Sequence, residues 1–139
     1  MEAGFVALIA LPLYAQLLAW YGEAPREARM IADGEEIDHA ELVVRRLLFT
    51  APVVVWTWWM VTTSLWALAA YSAMVWACFT IFHRYRLNEL RRLPWDYISL
   101  SNIYDSIWVW MAGHWGGYAA YLFEYLVNAA AVIYLIAST

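Results

Sequence analysis

Hydrophobic positions in this chain fall in long blocks. The longest, LLFTAPVVVWTWWMVTTSLWALAAYSAMVWACFTIF from Leu47 to Phe82, holds 36 residues without a charge. As a single helix it would be about 54 Å long, against a hydrocarbon core about 30 Å thick. One crossing would leave several apolar turns in water or demand extreme tilt. Two crossings joined by a tight turn fit better. The turn is predicted at Thr62, Thr63 and Ser64, three consecutive polar residues at the middle of the block. Trp56, Trp58, Trp59 and Trp66 flank it, where an aromatic belt would lie. The first crossing reaches back to about Leu42, because Arg45 and Arg46 can snorkel toward headgroups, and Pro52 is placed to kink it.

Two further blocks have the length of a span. Ala3 to Gly22 is uncharged. It reads as an uncleaved helix, since a signal peptide would carry basic residues at its start and a small-residue cleavage site after it. Trp20 and Tyr21 mark its inner interface. Tyr118 to Ala137 forms the last crossing. An alternative lets Ser106 to Phe123 cross alone, but Gly113, Gly116 and Gly117 interrupt that stretch.

Between the blocks the chain is polar. Pro25 suits the first turn of a short helix, with Gly34 near its end. Asp33 and Glu36 have the spacing of a capping box for the next helix, and Glu41 and Arg45 are spaced for an i,i+4 pair. After the third crossing, Pro94 predicts a helix break and Asp96 a new cap. From Tyr97 to Met111, Leu100, Tyr104, Ile107 and Met111 share one face, with Ser99, Asn102, Asp105 and Ser106 on another. That pattern predicts an amphipathic helix lying in the membrane interface.

The expected fold is an all-α integral membrane helical bundle, one domain over residues 1–139. It has about four transmembrane helices (3–22, 42–61, 65–82 and 118–137) plus the interfacial helix. Residues 23–41 and 83–117 are then cytoplasmic, and both termini lie outside. Charge supports this arrangement. All eight basic residues are Arg, and the four before the long block and the four after it share one face if the block crosses twice. The positive-inside rule favours that distribution. The expected setting is a bacterial inner membrane, with the chain encoded by the bacterium or a phage.

Composition agrees: 65% of residues are hydrophobic and 14% charged, against about 45–50% and about 25% in soluble domains. The net charge of −4 argues against a nucleic-acid partner. The single cysteine, Cys78, excludes an intrachain disulfide.

Candidate chemistry is sparse. Glu124 is the one carboxyl within a predicted span, and Tyr121, Glu124 and Asn128 form a polar stripe at i, i+3 and i+7. The stripe suits either interhelical hydrogen bonding or an ion or proton relay with Glu124 titrating. Gln16, Thr57 and Ser72 are candidate buried partners. Glu36 and His39 make one Glu-x-x-His, the spacing that di-iron bundles use twice; a solvated helix start explains the same residues. His39, His83 and His114 share one predicted membrane face, so two of them could hold haem, although interfacial histidine is the simpler description. Arg84, Arg86, Arg91 and Arg92 can bind anionic lipid headgroups or act purely as topology determinants.

The hydrophilic segments are too short for an independent catalytic domain. The expectation is a non-enzymatic membrane protein acting through association, without a cofactor. Its partners would be the lipid bilayer and other membrane subunits or further copies of itself. The alternatives are a small transporter, channel or holin-like pore built on Glu124, and a haem- or metal-binding enzyme subunit.

Overall fold

The computed structural model describes residues 2–62, 64–97, 109–111, 113–116 and 118–138. The described residues are helical in every regular element. These are α1 (Glu2–Leu17), a π-helical stretch (Leu18–Glu23), α2 (Ala24–Ala32), α3 (His39–Val61), α4 (Leu65–Leu90) and α5 (Ala119–Ser138). Among the described residues three helices are long and apolar enough to cross a membrane: the continuous Ala3–Ala32, Leu65–Leu90 and Ala119–Ser138. They are compatible with integral membrane location. The predicted amphipathic helix falls largely on residues 98–108, which lie outside the described residues.

The first two helices run on without a break. Pro12 lies inside α1, and the π-helical stretch joins α1 to α2, with the Ala24 N–H bonded to the Ala19 carbonyl. Widened turns of this kind commonly sit near functional groups; here Ala19 and Glu23 are buried in it. Pro25 lies at the start of α2, directly after the π-helical stretch.

α2 ends in a Schellman motif. Gly34, with φ 72°, donates to the Ile31 carbonyl at 3.2 Å, and Glu35 N–H reaches Met30 at 2.9 Å. This ending overturns the capping box expected from Asp33 and Glu36. Asp33 terminates α2 instead, and Asp38 caps α3, its Oδ1 accepting from Ala40 N at 2.8 Å and Glu41 N at 3.2 Å. Six residues, 33–38, carry the chain out of one helix through a left-handed residue and into the next.

α3 and α4 form a hairpin whose turn falls at Thr62 to Ser64, with Thr63 outside the described residues. The Trp58 indole donates to the Ser64 carbonyl at 2.8 Å. α4 ends in a second Schellman motif: Arg92 N–H bonds to Glu89 at 3.0 Å and Leu93 N–H to Asn88 at 2.9 Å. Here the left-handed position is Arg92, φ 58°, rather than glycine. Pro94 then prevents continuation.

α4 is the hub and packs against all the other helices. Its buried face includes Ala67, Tyr71, Met74, Val75 and Cys78. Against it lies a four-residue repeat from the first helix, Ala7, Leu11, Ala15 and Ala19, all buried. Small side chains at three of these four positions let the helices approach closely. Ala131 and Leu135 of α5 and Val54 of α3 complete the core. The outer faces are apolar: Phe5, Leu48, Trp56, Trp59, Trp66 and Ile133 are each more than half exposed. A water-soluble monomer rarely exposes so much contiguous apolar surface.

Candidate functional site

Ionisable side chains collect at the end of the bundle where α2, the start of α3 and the last turns of α4 meet. Glu124, in the second turn of α5, is fully buried. Arg84 of α4 grips it with two parallel bonds, Nη1 to Oε2 at 3.0 Å and Nη2 to Oε1 at 2.7 Å. A guanidinium fork on a carboxylate fixes orientation as well as distance. The Arg84 guanidinium also lies 4.9 Å from the centre of the Tyr121 ring.

The rest of the polar stripe of α5 is engaged in the same direction. The Tyr121 hydroxyl donates to the Trp95 carbonyl at 2.6 Å. Asn128 Oδ1 accepts from Cys78 Sγ at 3.6 Å. Tyr121, Glu124 and Asn128 are thus brought together as one face against α4 and the segment that follows it. The partners are Arg84, Trp95 and Cys78. Of the partners expected for Glu124, Gln16 lines a groove that Tyr121 and Trp95 border, and the Ser72 hydroxyl donates to Leu68 of its own helix at 2.8 Å.

A second cluster joins three helices. Glu27 of α2 accepts from Arg46 Nη2 of α3 at 2.8 Å, and His83 Nε2 of α4 lies 3.1 Å from the same Glu27 oxygen. His83 Nε2 also lies 3.2 Å from Arg46 Nη2. Phe79 forms the floor, stacked under the His83 ring at 5.4 Å and under the Arg46 guanidinium at 5.3 Å. The His83–Glu27 separation lets one proton be shared between imidazole and carboxylate. Beside it, Arg45 donates to the buried Glu23 at 2.9 Å. Arg45 therefore reaches back to Glu23 rather than pairing with Glu41, as its helical spacing suggested. Glu41 pairs with Arg26 at 3.4 Å. Tertiary partners outcompete the exposed i,i+4 pair, which is worth only about 0.2–0.5 kcal/mol.

The remaining candidates are dispersed. Glu36 precedes α3 and is outside any helix, so the one-face geometry that made Glu36 and His39 a metal candidate is absent. His39 is the first residue of α3. His114 Nδ1 lies 2.8 Å from the Trp110 carbonyl, and the two rings are 4.6 Å apart. Among the described residues no three His, Cys, Asp or Glu side chains form a metal-binding group. Arg86 pairs with Glu89 at 2.7 Å and lies over the Trp20 ring at 5.0 Å, while Arg91 lies over Tyr97 at 5.9 Å.

The roles of Glu23, Glu27, Arg45 and Arg46 were not read from sequence, although a signal existed. Glu23 and Glu27 share one helical face just beyond an apolar block, and the arginine pair stands just before the next block. Antiparallel packing of two such helices puts the acids opposite the bases.

No protein family, no curated protein and no solved structure matches the chain.

Proposed function

We propose that this chain is a small polytopic membrane protein that works through association, as an accessory or scaffolding subunit or by self-assembly. The observation that carries this reading is the Arg84–Glu124 fork. Both oxygens of the one carboxyl buried in α5 are held by a single guanidinium from α4. That engagement favours a helix-docking role for Glu124 over an ion relay. The Glu27–Arg46–His83 and Glu23–Arg45 clusters also link helices, each through one carboxylate oxygen.

The proposed topology has four crossings with both termini outside. α3 supplies the fourth. Its apolar portion is rich in tryptophan, which counts as weakly polar on hydropathy scales yet presents a large apolar ring to lipid. Contact between Arg46 and His83 supports placing the arginines that precede the hairpin beside those that follow it. What remains for a partner is the bundle's lateral surface, including a shallow groove between α4 and α5 floored by Ala69, Ala73 and Ala130. Small residues there would let a neighbouring helix approach.

The test is the mass of the protein extracted from its native membrane in polymer-bounded lipid discs. A defined oligomer or a stoichiometric second protein is expected. A lone 16.1 kDa chain across the accessible concentration range would refute association.

A further inference from the structure

A groove of about 670 Å³ opens between the first helix, α4 and α5. It is distinct from the alanine-floored groove and borders the Arg84–Glu124 site, with which it shares Trp95 and Tyr121. Its size falls within the roughly 300–1,000 Å³ of ligand pockets. Its walls include Trp20, Phe82, Tyr85, Trp95, Tyr118 and Leu122. These residues are ordered by depth. Gln16, Phe82 and Tyr125 lie nearer the middle of their helices. Trp20, Tyr85 and Tyr118 lie three to seven residues further toward the arginine-bearing end, and Trp95 is held there by the loop after α4. Asn88 anchors that loop, its amide donating to the carbonyls of Trp95 at 3.1 Å and Tyr97 at 2.9 Å.

The groove therefore has an apolar interior and a rim of indole and phenol rings. Trp20 stacks on Tyr85 at 5.9 Å, and the Arg86 guanidinium lies over that same Trp20 ring. Glu89 takes one Arg86 donor, at Nη1. The Arg86 Nε is buried, but the side chain as a whole keeps 26% of its surface exposed. A guanidinium has five donors, so Arg86 can serve an anion at the rim while it keeps Glu89.

We infer that this groove binds an anionic glycerophospholipid, one acyl chain lying along Phe82 and Leu122 and the phosphate at Arg86. In a bilayer the molecules that reach a lateral groove are lipids. Arg86, next to the groove over Trp20, favours the anionic ones, as basic residues between transmembrane helices do. The inference needs the bundle to sit in a membrane and is independent of its protein partners.

Native mass spectrometry of the detergent-purified full chain tests it, using dioleoyl phosphatidylglycerol and dioleoyl phosphatidylcholine, which share acyl chains and differ in headgroup charge. The wild type should retain the phosphatidylglycerol about fivefold better, the effect of one basic residue near the headgroup. Arg86→Gln should abolish the preference, and Arg86→Lys should restore part of it. Leu122→Trp, at an exposed position, should fill the groove and lower retention of both lipids, which a phosphate site without a chain-binding groove would not show. Equal retention of the two lipids by the wild type would overturn the proposal. So would an undiminished preference in Arg86→Gln, or unchanged retention in Leu122→Trp, with thermal melting confirming that each variant is folded.

Discussion

Arg84 and Glu124, 40 residues apart in sequence, form a bidentate pair in which the carboxylate is entirely shielded and the guanidinium nearly so. Such a pair is costly to break from one side and cheap to replace as a unit. Removing one partner leaves an uncompensated buried charge, a loss of about 3–5 kcal/mol, whereas an apolar pair of similar volume is often neutral or better. Glu124→Leu and Arg84→Leu should each lower the melting temperature sharply in detergent. The double variant should melt above both. Additive losses in this cycle would show that the two side chains act independently.

Close packing of the first helix on α4 makes a second prediction. Ala15 is fully buried in the Ala7–Leu11–Ala15–Ala19 repeat, while Leu13 on the opposite face is half exposed. Ala15→Leu should destabilise by about 1–3 kcal/mol through overpacking. Leu13→Ala should change stability little, as lipid or detergent covers that face in either case. Reversible unfolding in mixed micelles measures both.

Much of this packing was legible in advance. The 36-residue uncharged block had to fold back on itself for reasons of length, and the hairpin turn falls at the three polar residues inside it. The stripe of Tyr121, Glu124 and Asn128 was visible as helical spacing. Their partners were not, because the residues that meet across a helix interface depend on rotation and depth that no local pattern carries. Arg84 illustrates this: as one of a cluster of arginines after a span it resembled a headgroup ligand, yet in the fold it points its fork at α5. The cap of α3 was misplaced for a different reason. Asp33 and Glu36 satisfy a capping pattern, but Gly34 between them closes the preceding helix first, and Asp38 becomes the residue free to cap.

The end of α4 holds avoidable strain. Arg92 adopts the left-handed conformation that the Gly34 position adopts without a Cβ. That conformation costs an L-residue roughly 1–2 kcal/mol. Arg92→Gly should therefore raise thermal stability, offset in part by the greater freedom glycine gives the unfolded chain. A drop in melting temperature would indicate that the Arg92 side chain makes contacts worth more than the strain.

The proposed topology requires all the arginines to share one face of the bilayer. Cysteine labelling in intact cells or sealed vesicles tests this directly. Cys78 is buried and should stay silent toward a membrane-impermeant maleimide, which makes the wild type its own blank. With Glu35→Cys, Ser64→Cys and Leu90→Cys introduced one at a time, positions 35 and 90 should label from the same side and position 64 from the opposite side. Labelling of 35 and 90 from opposite sides, or of 64 from the same side as both, would contradict the hairpin and the topology built on it.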